Sequence, residues 1–308
     1  MDVLAVGTVA LDSIETPFGS ADGILGGSAM YITIAARYFT PSVHLVAVVG
    51  SDFPDEYIDL MRDSGVDLSG LEVDRLGKTF AWSGRYHDDL NIRDTLATHL
   101  NVLETFSPKV PKHLRRCRIV CLGNLDPNIQ CQVLDQMSNP EFIICDTMNF
   151  WIENERDALT RILGRIDCLI VNDSEARDLA GDANLIRAAR MIRNMGPEIV
   201  VIKKGEHGAL LFTENAVFSV PAYPVEDIQD PTGAGDAFMG GFAGCLSDQQ
   251  PHDLNALKTA LVCGCAIASF TVEKFGPERL LGLEKSDVLS RIQAFRDLTT
   301  IPLVEEIL

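Results

Sequence analysis

Most of the chain alternates between runs of consecutive apolar residues and segments with helical spacing. Val3-Leu4-Ala5-Val6-Gly7 and Val43 to Gly50 read as strands buried on both faces, since continuous apolar runs are what a parallel central strand requires. Helical spacing follows over Ala29 to Phe39 and over Pro54 to Ser64, where Gly65 supplies a stop. The middle keeps the same rhythm: strand 118–122, helix 128–137, strand 142–145, a helix near 152–163, strand 168–171. Ile199 to Phe212 reads as strand, turn, strand, and Leu254 to Phe270 as a long apolar helix. Repeated βα winding without a linker predicts a mainly parallel sheet with right-handed crossovers, and one domain over 1–308. Lys78 to Phe106 departs from this. Its period-two alternation, as in Thr79-Phe80-Ala81-Trp82-Ser83-Gly84-Arg85-Tyr86, predicts half-exposed antiparallel strands outside the main sheet.

Composition narrows the function classes. With 46% hydrophobic residues over 308 positions the chain can bury a large core. Its formal charge of -18, from 26 basic and 44 acidic residues, opposes nucleic-acid or anionic-membrane binding, which need basic patches. Asp2 stands where a signal peptide carries a base, and no apolar run is read as membrane-spanning, so the expected location is cytoplasmic. The eight cysteines sit in apolar contexts without Cys-x-x-Cys pairs, which points to buried free thiols. Cys263-Gly264-Cys265 lacks the accompanying His or Cys pair that a zinc site needs.

The chemistry concentrates in Asp230-Pro231-Thr232-Gly233-Ala234-Gly235-Asp236-Ala237-Phe238-Met239-Gly240-Gly241-Phe242. A loop of small residues runs straight into an apolar helical pattern, so Gly233, Ala234 and Gly235 fall where a helix begins. Helix starts expose N–H groups and the positive end of the dipole, and small side chains let a phosphate approach. Asp236 could then take a proton from a hydroxyl held beside that anion. The plain alternative is a dipole-complementing Asp after a Gly-rich turn. Two other nucleotide readings fail. Gly77-Lys78-Thr79 has Glu72 where a P-loop needs Gly, and Gly233-Ala-Gly235 has Phe238 where a dinucleotide fingerprint needs Gly or Ala.

The string Asp-Pro-Thr-Gly-Ala-Gly-Asp-x-Phe-x-Gly-Gly closely resembles the C-terminal signature of the PfkB (ribokinase-like) carbohydrate kinases. That resemblance implies a ribokinase-like three-layer α/β/α fold with a small β-sheet lid, formed by segments near 13–25 and 78–106. It implies ATP-dependent phosphorylation of a hydroxyl, with Asp236 as base and Gly233, Ala234 and Gly235 lining the anion hole. Asp12, Gly26, Gly27 and Asp146 match the family's sugar-binding positions. Asn172 and Glu175 match an Asn-x-x-Glu motif that organises Mg2+ through water, although Asn followed three residues later by Glu is also a capping box. Lys203, Gly205 and Gly208 match a segment bordering the nucleotide, and Asp230 and Thr232 match positions beside a monovalent cation such as K+. Trp82, Arg85, Tyr86, Asn91 and Arg93 of the lid are further candidates for contact with substrate, and an exposed lid sheet is a candidate homodimer surface.

The sequence departs from the family at the substrate end. Tyr31 stands where the family has Asn, and Asp146-Thr147-Met148-Asn149 is one residue longer than the usual Asp-x-Asn. The expected partners are ATP and a small sugar-like molecule. A nucleoside kinase of the same fold, or a ligand-binding protein on this fold without catalysis, are the alternatives.

Overall fold

The computed structural model describes residues 2–300; Met1 and residues 301–308, which the one-domain expectation also spans, lie outside the described residues. The chain opens with β1 (Val3–Val6), β2 (Ala10–Thr16), β3 (Gly19–Gly26), α1 (Ser28–Ala36), β4 (Val43–Gly50), α2 (Asp55–Asp63) and β5 (Val66–Asp74). It continues through β6 (Ala81–Tyr86), β7 (Arg93–His99), β8 (Ile119–Leu122), α3 (Pro127–Leu134), β9 (Phe142–Asp146), α4 (Asn149–Asn154) and α5 (Arg156–Leu163). Then come β10 (Cys168–Asn172), α6 (Asp173–Ala180), α7 (Leu185–Arg193), β11 (Ile199–Lys203), β12 (Ala209–Phe212) and β13 (Val217–Val220). Four helices close the chain: α8 (Ala234–Leu246), α9 (Leu254–Thr271), α10 (Glu278–Leu281) and α11 (Lys285–Thr299).

Among the described residues these strands form a nine-stranded sheet in the order β13-β12-β11-β10-β9-β8-β1-β4-β5 and a four-stranded sheet in the order β3-β2-β6-β7. From β5 to β11 the large sheet is parallel, and β12 and β13 add an antiparallel edge. The apolar runs are continuous because alternate side chains feed opposite layers. Val3 and Ala5 join Val43, Leu45, Phe242 and Leu261 on one face, whereas Leu4 and Val6 join Val133, Leu159 and Ile192 on the other. Each fully buried Val, Leu or Phe contributes roughly 1.5–3 kcal/mol.

The small residues of α8 serve close packing. A Cβ added to Gly240 would lie 2.2 Å from the Ile32 carbonyl, and one on Gly244 would lie 2.7 Å from that of Ala36, so α8 sits directly on α1. Its other side meets α9, where a Cβ on Gly264 would come within 2.9 Å of the Phe238 carbonyl. The helix that begins at Gly233 is therefore held from both flanks. At 18 residues α9 is long and apolar enough to cross a bilayer, which corrects the expectation that no run reaches that length. Its apolar side chains are instead core, Leu257, Leu261, Ile267 and Phe270 among them.

Three other expectations change. The lid exists as a separate sheet, but β2 pairs with β6 in parallel and only the β2–β3 and β6–β7 pairs are antiparallel. The expected 29–39 helix ends at Ala36, and the helix near 152–163 is two, broken at Glu155. Sequence reading also missed β5, an edge strand whose alternating polar residues lack the apolar run of its neighbour β4.

Candidate active site

The start of α8 is fixed by its own loop. The N-cap, Gly233, has φ 76°, a left-handed conformation that favours glycine. The fully buried Asp230 holds the approach: Oδ1 accepts from the Thr232 N–H at 2.8 Å and Oδ2 from the Gly276 N–H at 3.2 Å. Asp236 then falls in the first helical turn, half-buried, beside N–H groups that lack intrahelical partners.

Parallel strand ends bring the other charged groups to this point. Asp146 ends β9, Asn172 ends β10 and Lys203 ends β11, with Asp146 registered against Ile170 and Asn172 against Lys203. Lys203 Nζ lies 4.0 Å from Asp146 Oδ2, and 2.7 Å from where a Gly235 Cβ would stand, so the ammonium lies across the first turn of α8. Asn172 and Glu175 form the capping box: Asn172 Oδ1 accepts the Glu175 N–H and Glu175 Oε2 accepts the Asn172 N–H, each at 2.8 Å. That leaves Glu175 Oε1 as a further acceptor in a 7% exposed carboxylate.

The carboxylates share one electrostatic field. Burial, then the charge of Asp146, pushes Asp236 up to about 7, with Lys203 and Arg93 opposing. Glu175 is pushed up to about 7 by burial and then Asp146. Asp146 is itself raised by burial, against the pull of Lys203. Burial alone would lower Lys203, but Asp146, Glu175 and Asp236 together hold it above the ordinary lysine value. The cluster can therefore hold a proton near neutrality, and it presents two cations, Lys203 and Arg93, to an anionic ligand.

Asp12 lies on lid strand β2, which leaves the main sheet after β1. Gly26 ends β3 and leaves room for Asp12, since a Cβ there would lie 1.9 Å from Asp12 Oδ2. Gly27 caps α1. Asp12 is pushed up to about 7 by burial, then by Asp230 and Asp236. Tyr31 packs its ring beneath Gly233, whose Cβ would lie 2.2 Å from Tyr31 Cε2. Both Tyr31 Oη and Asp12 Oδ1 are buried with no hydrogen-bond partner among the described residues. Burial and three carboxylates, Asp230, Asp12 and Asp236, raise the Tyr31 hydroxyl well above its ordinary value, so it stays protonated as a donor. A buried donor and a buried acceptor in one electrostatic field suit a substrate hydroxyl, which can accept from one and donate to the other.

The lid reaches across to the start of α8. Thr16 Oγ1 donates to the Gln229 carbonyl at 2.9 Å, and Thr232 Oγ1 donates to Tyr86 Oη at 3.1 Å. Asn91 Nδ2 donates to Glu206 Oε2 at 2.8 Å, which places the β6–β7 turn against Gly205, in the turn after β11. Gly208 follows immediately, at the head of β12. Arg93 lies 5.8 Å from the Trp82 ring and projects its charge onto Asp146, Glu175 and Asp236. Arg85 instead pairs with Glu15 at 2.6 Å on the exposed side of the lid. Of the residues singled out from sequence, Asp12, Arg93, Asp146, Glu175, Lys203, Asp230 and Asp236 act on one another electrostatically, whereas Arg85 faces outward. The role of the Tyr31 ring under Gly233 was not visible, because only tertiary packing brings the two together.

A family model described as pfkB family carbohydrate kinase matches residues 23–281. The chain is similar to a cytidine kinase of Thermococcus kodakarensis, at 28% identity over 82% of this chain and 90% of that one. It is similar to a nucleoside kinase of Methanothermobacter thermautotrophicus, at 27% identity over 90% and 91%. In structure it is similar to a putative ribokinase II of E. coli solved with ATP and Mg2+, with TM-score 0.78, 22% identity and coverage of 95% and 99%.

Proposed function

This chain belongs to the pfkB family of carbohydrate kinases, and on that premise we propose that it transfers the γ-phosphoryl group of ATP to a sugar-ring hydroxyl of a nucleoside, with Asp236 as the base. The observation that carries the chemistry is the placing of Asp236 in the first turn of α8, with Lys203 Nζ across Gly235. A carboxylate raised to about 7 is poised to accept a proton near neutral pH. The hydroxyl gives its proton to Asp236, its oxygen bonds to the γ-phosphorus, and the bond to the β-phosphate oxygen breaks with its electron pair leaving on ADP. The α8 N–H groups and Lys203 meet the charge on the transferring group. Arg93 joins them from β7, and a lid lying across the site would exclude water from the transfer.

The donor set fits Mg2+. Glu175 and Asp146 offer carboxylate oxygens, and Asn172 an amide, which is what a hard cation takes directly or through water. When bound, the ion supplies counter-charge to the ATP phosphates. Asp230 is fully buried and has no Lys or Arg partner among the described ion pairs, which suits a K+ ion beside Asp230 and Thr232.

The nucleoside reading rests on the two relatives matched over most of both chains, a cytidine kinase and a nucleoside kinase. A free sugar is the second reading, favoured by the match to a carbohydrate-kinase family model. A second copy covering the lid's exposed Ile92 and Leu96 belongs to the same proposal. The test is Asp236→Asn: turnover should fall at least about a thousandfold, with affinity for a non-hydrolysable ATP analogue unchanged within a few-fold. Retention of most of the activity would remove Asp236 from the role of base.

A further inference from the structure

The parallel register also gathers chemistry at the opposite end of the sheet. Asp146, Asn172 and Lys203 stand at C-terminal strand ends, whereas Asp2 precedes β1, His44 is the second residue of β4 and Cys117 precedes β8. Because β1 pairs with both β4 and β8, three residues far apart in sequence come together. One ligand atom from each of Asp2, His44 and Cys117 lies within 4.8 Å of the other two. Ligand atoms around a tetrahedral zinc stand roughly 3.3–3.8 Å apart, as follows from bonds of about 2.0–2.3 Å. Side-chain rotations close the difference.

The surroundings are built for a ligand. Asp67, the cross-strand neighbour of His44 on β5, lies 2.8 Å from His44 Nδ1 and fixes the ring proton there. Asp67 is held in turn by the Ser69 N–H at 2.9 Å and hydroxyl at 3.0 Å. This is the carboxylate–imidazole pairing that orients a metal-binding histidine and directs Nε2 away from the carboxylate. Ser42 Oγ donates its only proton to Asp2 Oδ1 at 2.7 Å, so although it lies 3.2 Å from His44 Nε2 it cannot donate there. The imidazole with its proton on Nδ1 turns Nε2 toward Ser42 Oγ, a contact that a bound metal would replace. Cys117, 2% exposed, completes a sulfur, nitrogen and oxygen donor set.

We propose that Asp2, His44 and Cys117 form a binding site for a borderline divalent transition metal, zinc(II) by donor preference, remote from the phosphate-transfer site. Thiolate and imidazole select such ions over Mg2+. The exposed side of Asp2 leaves a fourth position for water. Binding displaces the thiol proton to solvent and ties the start of the chain to β4 and β8.

The test uses untagged full-length protein stripped of metal and titrated with Co(II). One equivalent should bind with a thiolate-to-cobalt charge-transfer band in the near ultraviolet, displaced by Zn(II) and unaffected by excess Mg(II). Cys117→Ser should abolish the band, and His44→Gln should weaken Co(II) binding about tenfold to a hundredfold. Asp236→Asn should leave both unchanged, so the outcome is independent of the kinase reading. Because Cys117 is buried, circular dichroism checks the fold of its variant, and the half-buried His44 provides the second arm. Absence of the band in the wild type, or equal affinity in His44→Gln, means an adventitious ion only and overturns the proposal.

Discussion

Replacing Asp236 by Asn should stabilise the protein while abolishing its chemistry. The folded environment raises this carboxyl from 3.8 to about 7, mainly by burial and then by Asp146. About three pK units correspond to ~4 kcal/mol of strain on the ionised form. Asp236 is half-buried, so solvent screening halves this to about 2 kcal/mol. Unfolding entropy near 2.1 cal/mol/K per residue over 308 residues gives roughly 0.65 kcal/mol/K, and the predicted gain in Tm is about 3 °C at pH 8. The sign follows from linkage. Above pH 7 both states are ionised and the whole penalty is present. Between 7 and 3.8 the folded protein takes up the proton and the penalty shrinks, so at pH 5.5 the gain should be about half that at pH 8. Differential scanning calorimetry of both proteins at the two pH values reads this directly. A lower Tm for Asp236→Asn at pH 8, or a gain that grows on acidification, would refute the electrostatic reasoning.

The remaining predictions concern the same cluster. kcat/KM should rise with pH along an acid limb of apparent pKa near 7, a property of the coupled carboxylates, since the base must be ionised. Asp146→Asn removes the main like charge facing Asp236, so it should shift that limb to lower pH; an upward shift contradicts the assignment. Tyr31→Phe deletes a buried hydroxyl without a partner among the described residues, so thermal stability should hold or rise by about 1 kcal/mol. KM for the acceptor should rise about tenfold with KM for ATP unchanged, as loss of one substrate hydrogen bond implies. Equal KM values for the acceptor would leave the Tyr31 hydroxyl no part in recognition.

The phosphate end was legible because its chemistry is local. Asp230 to Asp236 is one contiguous string, and a helix start presents its N–H groups wherever it stands. The parallel sheet was legible for the same reason, since doubly buried strands carry unbroken apolar runs. What escaped depends on register and long-range packing. Lys203 could be named, but not its position across Gly235, which requires β11 and α8 to meet. Asp12 belongs to the lid because β2 leaves the main sheet directly after β1, a change of sheet that no local signal marks. The parallel β2–β6 pairing was hidden because alternation shows that a strand has one exposed face and says nothing of its neighbour's direction. Asp2, His44 and Cys117 are 40 or more residues apart, and only the order β8-β1-β4 makes them adjacent.

The central claim is phosphoryl transfer from ATP to a hydroxyl through Asp236. Its most direct measurement is incubation of wild type and Asp236→Asn with γ-labelled ATP, Mg2+ and a panel of nucleosides and free sugars, followed by identification of the labelled product. The wild type should give a labelled phosphomonoester of a panel nucleoside, in amounts equal to the ADP formed, and the variant none. Label released only as inorganic phosphate, or a phosphomonoester formed equally well by Asp236→Asn, would contradict it.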